Sequence, residues 1–153
     1  MLGRLPDARG AQPAPADHVR GSGHDPLARQ RDLAAVLLRW EGAPDTPFFR
    51  AQAWSYLAEL PEGAQTTAGD GASRFLVEVT VPQGALSERR KAGLVQDATE
   101  AVLAAAGLTP ADALRVWVLV HEQPDGTWGA GGSVIRYAGL VALARQDGER
   151  ADA

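Results

Sequence analysis

One stretch decides the fold: FLVEVTVPQGALSERRKAGLVQDATEAVLAAAG, from Phe75 to Gly107. Phe75, Val77, Val79 and Val81 alternate with Leu76, Glu78 and Thr80, which predicts a half-buried strand stopped by Pro82 and Gly84. Ser87 then stands where a helix N-cap belongs, with Glu88 favourably placed in the first turn. Leu94, Val95, Ala98, Ala101, Val102 and Ala105 follow at helical spacing, one apolar face, and Gly107 and Pro110 end the helix. Leu114 to Val120 is apolar at nearly every position, the pattern of a strand covered on both faces. Strand, helix and strand within about 45 residues make one βαβ unit.

On the carboxyl side the chain continues as VHEQPDGTWGAGG, Val120 to Gly132, a turn followed by Trp128 fenced by glycines. A last short helix is predicted around Leu140, Val141 and Ala144. On the amino side, Gly69 to Ser73 reads as a linker. Before it, Leu33, Val36, Leu37 and Trp40 form one helical stripe ending at Gly42 before Pro44. Phe48 to Leu60 is expected to be a strand closed by Pro61-Glu62-Gly63. Residues 1–25 are rich in Gly, Pro, Ala, Asp and Arg without periodicity and are expected to be a disordered leader.

The two halves echo each other. Trp54 and Trp117, Glu59 and Glu122, Pro61 and Pro124, and Gly63 and Gly126 all lie 63 positions apart. AWSYLAELPEG and VWVLVHEQPDG therefore share a W-x4-E-x-P-[ED]-G skeleton, and GAPD and GLTPAD each follow a helix. A duplication accounts for this, with the first strand of the first copy missing or degenerate. The expected organisation is a leader (1–25), a diverged first repeat (26–70), a linker (71–73), a second repeat (74–146) and a tail (147–153). Trp128 has no counterpart, since QTTAGD (65–70) stands in the first copy where TWGAGG (127–132) stands in the second.

Composition narrows the function. The 153 residues carry a formal charge of −4 and no basic stripe, against a nucleic-acid or polyanion binder. Absence of cysteine excludes disulfides, Cys-ligated zinc and thiol catalysis. His18 and His24 fall in the leader without ligand spacing, and His121 stands alone, so no metal is expected. No apolar run reaches the roughly 18 residues of a membrane span, and MLGRLPDARG has no apolar signal core, so a cytoplasmic protein is expected. GTWGAGG lacks the Lys-Ser/Thr of a phosphate loop.

From Arg74 to Gly132 the chain resembles the tautomerase superfamily, specifically its 4-oxalocrotonate tautomerase-like branch, and residues 26 to 70 look like a second, diverged copy as in fused members. The resemblance implies an α+β, tautomerase/MIF-like fold: two tandem βαβ units forming a four-stranded sheet backed by two helices, three fused chains making a homotrimer. It implies cofactor-independent keto/enol proton transfer on small carboxylate-bearing acids, with hydration, dehalogenation and decarboxylation as kindred reactions. The family's base is an amino-terminal proline kept neutral by an apolar pocket; arginines hold the carboxylate and an aromatic residue keeps the pocket dry. Here residue 2 is Leu2, and the corresponding position in the second repeat falls on the internal residue Arg74 or Phe75. The strand arginine falls on Trp117, with Arg115 two residues away on the same face as its substitute; Arg50 keeps that parity with Trp54. The turn arginine falls on Ala85, with Arg89 and Arg90 close behind. Arg50, Arg115 and Trp128 are thus the expected site residues. Glu59 and Glu122 are expected to be solvated strand ends, and Trp54 and Trp117 core or interface residues. Two further readings stay open at the sequence level: a catalytically silent subunit with a structural or ligand-binding role, and an unrelated oligomeric α+β module.

Overall fold

The structure, a computed structural model, describes residues 26–151. The expected leader (1–25) lies outside the described residues. Helix α1 (Pro26–Glu41) and the short helix α2 (Pro47–Gln52) come first, then strand β1 (Phe75–Pro82) and helix α3 (Glu88–Ala106). A 3₁₀ turn (Pro110–Arg115) leads into strand β2 (Val116–Gln123), followed by the hairpin β3 (Trp128–Ala130) and β4 (Ser133–Ile135) and helix α4 (Tyr137–Ala151).

In the second expected repeat strand, helix and strand form in the expected order, but the second strand starts late: Leu114 and Arg115, expected on it, belong to the 3₁₀ turn. β1 and β2 pair in parallel over their whole length, from Phe75 opposite Val116 to Pro82 opposite Gln123, which requires the crossover that α3 supplies. Ser87 caps α3 by accepting from Arg90 N at 3.4 Å, and Gly107 ends it in the left-handed conformation at φ 65°. On the face of α3 toward the sheet, Leu94, Ala98, Val102 and Leu103 are buried. Val79, Val81, Ala85, Leu86 and Leu94 form one half of the core, and Val102, Leu103 and Val116 the other. Val95, expected on that face, is exposed, and Leu103 takes its place.

Helix α1 lies against α3, closing the core with Val36, Leu37 and Trp40. The approach is close enough that a Cβ on Gly93 would lie 2.1 Å from the Trp40 ring. Glycine in mid-helix costs about 1 kcal/mol relative to alanine, and here it gives the indole its seat. Trp40 Nε1 donates to Asp97 at 2.7 Å, and Arg39 pairs with the same carboxylate.

The first repeat departs from expectation. Phe48 to Leu60 is not a strand: Pro47 to Gln52 is a helix, and residues 53–60 have no strand partner. The local chemistry explains this. Thr46 is an N-cap accepting from Phe49 N, and Pro47 fills the first helical turn where its missing N–H costs nothing. Thr46-Pro47 and Thr109-Pro110 are again 63 positions apart, and each opens a short helical turn seven residues before Trp54 or Trp117 is reached from the proline. The 63-residue correspondence therefore extends through the turn that precedes each tryptophan. Two parallel strands form where four were expected, because among the described residues the first copy contributes helices and no strand. β2 is consequently covered on one face only; Trp117 is 69% exposed and Leu119 41%.

The glycine-rich stretch is a hairpin. Gly131 and Gly132 both have positive φ, 59° and 79°, as the two-residue type I′ connection between β3 and β4 demands. Asp125 of the preceding turn accepts from Tyr137 N at 2.9 Å and so caps α4, which runs through the expected boundary at 146–147 to Ala151. Its far end is tied to the first repeat by Thr46 Oγ1, which donates to Asp147.

Candidate functional site

The site is built at the end of the sheet where β1 and β2 both begin. Thr109 enters the 3₁₀ turn, and the Asp112 carboxylate folds back to accept from Thr109 N at 3.0 Å and Thr109 Oγ1 at 2.9 Å, the carboxylate half of a capping box. Three residues on, Arg115 closes the turn. Its Nη1 donates to Asp112 Oδ1 at 3.2 Å and its Nε to the Ser73 carbonyl at 2.9 Å. The guanidinium thus spans from the turn before β2 to the residue just before β1. The Thr109 bonds, backbone first, and then Arg115 hold the Asp112 carboxyl below the usual carboxylate range, so it stays ionised at neutral pH.

Around this guanidinium the surface is apolar. Leu76 and Trp117 face each other across the strands on the outer side of the sheet and are 56% and 69% exposed; with Leu114 and Arg115 they line one groove. Among the described residues Arg115 Nη2 has no partner, so the fork can still take a carboxylate. Apolar walls strengthen such a contact by lowering the local dielectric.

Of the other expected residues, Arg50 sits in helix α2 rather than on a strand, so its expected parity with Trp54 does not apply. It is committed to Asp45, with Nε–Oδ1 at 2.5 Å and Nη2–Oδ2 at 2.8 Å, and lines a separate hollow beside α1. Trp128 opens β3 opposite Ile135, with 36% exposure. It follows the far end of β2, and it lines the same broad groove as Arg115, Leu76 and Trp117. Arg50 stands apart from both. Phe75, at a position expected for the family proline, turns inward against Val102, Leu103 and Val116. The other such position, Arg74, is paired with Asp70. Glu122 accepts from Lys91 at 3.0 Å and from Gly84 N at 3.4 Å, contacts that pull its carboxyl below the usual range, Lys91 foremost. His121 pairs with Glu78 across the strands at 3.2 Å. Sequence reasoning passed over Asp112 and Ser73; the signal was the spacing Thr109-x-x-Asp112-x-x-Arg115, a capping box with an arginine one turn further.

Residues 76–138 match the family model described as tautomerase enzyme. In sequence this segment is similar to that family. Solved structures extend the likeness beyond it. The fused 4-OT called R7, a wild-type asymmetric trimer, superposes with a TM-score of 0.57 at 18% identity, covering 80% of this chain and 92% of that one. The fused 4-OT Q0, a symmetric trimer, gives 0.56 at 22% identity, with 81% and 92% covered. N1, of the cis-3-chloroacrylic acid dehalogenase family, gives 0.59 at 19% identity, with 83% and 88% covered. At these identities the likeness is one of fold, and it spans both repeats. No curated protein matches the chain in sequence. No described helix is long and apolar enough to cross a membrane, and no group of three His, Asp or Glu side chains among the described residues is placed to hold a metal ion.

Proposed function

We propose that the chain is a cofactor-independent isomerase that moves a proton between the enol and keto forms of small carboxylate-bearing acids. The observation that carries this reading is the Arg115 guanidinium, oriented at the common start of β1 and β2 beside Leu76 and Trp117, within the segment similar to the tautomerase family. A substrate carboxylate would take the open side of the fork, and its apolar remainder would lie along Trp117. Charge developing on the enolate oxygen would be met by the same cation. Trp128, which lines the same groove, would be its aromatic wall. The uncovered outer face of Leu76, Trp117 and Leu119 fits a homo-oligomer; the fused 4-OT relatives are trimers.

A second reading, a ligand-binding subunit without turnover, is favoured by one observation. Phe75 begins β1 with its ring in the core, in mid-chain, and offers no amine there to serve as base. Enol-to-keto conversion of phenylenolpyruvate, followed by ultraviolet absorbance, separates the two. The isomerase reading expects acceleration proportional to protein concentration; a rate equal to that in buffer, with binding retained, leaves the silent subunit.

A further inference from the structure

The duplicated Thr-Pro turn has been put to two uses. In the second copy the Thr109 hydroxyl bonds to Asp112 within its own turn, at 2.9 Å, and Asp112 in turn holds Arg115. Sixty-three positions earlier, Phe49 stands in place of Asp112 and Gln52 in place of Arg115. There the Thr46 hydroxyl, buried at 7% exposure, reaches out of its turn and donates to Asp147 of α4. The first turn has no carboxylate at the position that matches Asp112, so the hydroxyl is satisfied by the carboxyl-terminal helix. One copy of the motif orients a cation and the other clasps a helix.

We propose that Asp112 is the positioning residue for Arg115 and that the chain carries one carboxylate-binding site, in its second repeat, rather than one per repeat. This rests on the reading of Arg115 as the carboxylate grip. The physical argument concerns the geometry of the fork. A long arginine side chain has much rotamer freedom to lose on binding. Here two of its N–H groups are already fixed, Nε by the Ser73 carbonyl and Nη1 by Asp112, which leaves the Nη2 edge facing the groove. Asp112 is itself pinned by two bonds from Thr109, so it holds the guanidinium against a rigid turn rather than against a mobile side chain. A site that is already ordered loses less on binding. The first repeat has no such device: its one arginine in the turn, Arg50, is paired with Asp45 and faces a different hollow.

The test uses the full chain in three forms, wild type, Asp112→Asn and Arg115→Ala, with phenylpyruvate as probe. Calorimetric titration of wild type is expected to give one ligand per chain, and Arg115→Ala to abolish binding. Asp112→Asn is expected to weaken binding about fivefold to tenfold. Should Asp112→Asn also disturb the fold, the arginine Nε–H spectrum keeps the question answerable. In wild type without ligand, the Arg115 Nε–H resonance is expected to be slowly exchanging; in Asp112→Asn it is lost while circular dichroism is unchanged, and in Asp112→Glu it returns. Two ligands per chain would overturn the single site. An Arg115 resonance and affinity unchanged in Asp112→Asn, with Arg115→Ala still non-binding, would overturn the positioning role and leave the grip standing. Binding that survives Arg115→Ala, or no binding by wild type, would overturn the grip and the single site together.

Discussion

Among individual residues, Glu41 has the most unusual electrostatics. It is the last residue of α1, largely shielded from solvent, and burial raises its carboxyl from an ordinary 4.5 to about 7. The negative end of the helix dipole lies at the same terminus and also disfavours an anion. The nearby Arg90 donates to the Glu41 backbone carbonyl at 3.2 Å. Because the folded value lies above the unfolded one, this group favours the fold fully below about pH 4.5, and the contribution is lost as pH rises through 7. Glu41→Gln is therefore expected to equal wild type in stability near pH 4 and to exceed it by about 2–3 kcal/mol at pH 8. Denaturant unfolding at both pH values checks this; equal stabilities at pH 8 would refute it. None of this was legible in the sequence, where a glutamate ending a helix before Gly42 looks like any solvated end. Arg115 was singled out by strand parity with Trp117, but it closes the 3₁₀ turn before β2 and does not stand on the strand. Its support was not legible, because Asp112 is close in space through a turn and Ser73 through a sheet register, and only the first has a sequence spacing. Arg50 misled for the reason that its strand was a helix.

Among the elements, the second repeat could be read almost completely, since alternation, cap and stop signals all agreed over β1 and α3. The disagreement at α3 was rotational. Val95 and Leu103 both fit a wide apolar stripe, and the sequence could not say where α1 would end its coverage. Leu103, 7% exposed and packed with Val102 and Val116, is expected to cost 2–4 kcal/mol on change to alanine. Val95→Ala, at 37% exposure, is expected to cost under about 1 kcal/mol. Thermal or chemical unfolding of the two variants side by side checks the pair, and equal losses would contradict the packing described. The first repeat was misread at Phe48 to Leu60 because four aromatic residues outweighed Thr46-Pro47, a helix-start signal that fixes the backbone locally. Residues 54–60 retain the spacing of β2 without its pairing, so composition and spacing were poor guides to the sheet.

At the scale of the whole molecule, a domain with one sheet face covered by helices leaves the other to be explained. Leu76, Trp117 and Leu119 form a continuous exposed apolar patch on neighbouring strands. Assembly through this face predicts that the chain scatters light as an oligomer and that Trp117→Asp shifts it toward monomer with unchanged helix content. A monomeric wild type would contradict it. Catalysis is where the account is most exposed. Its most direct test is the kcat/KM for phenylenolpyruvate tautomerisation by wild type and by Arg115→Ala. Acceleration by wild type, with a loss of at least about tenfold in the variant, is predicted for removal of a bidentate carboxylate contact. Wild type no faster than buffer, or a variant as fast as wild type, would contradict it.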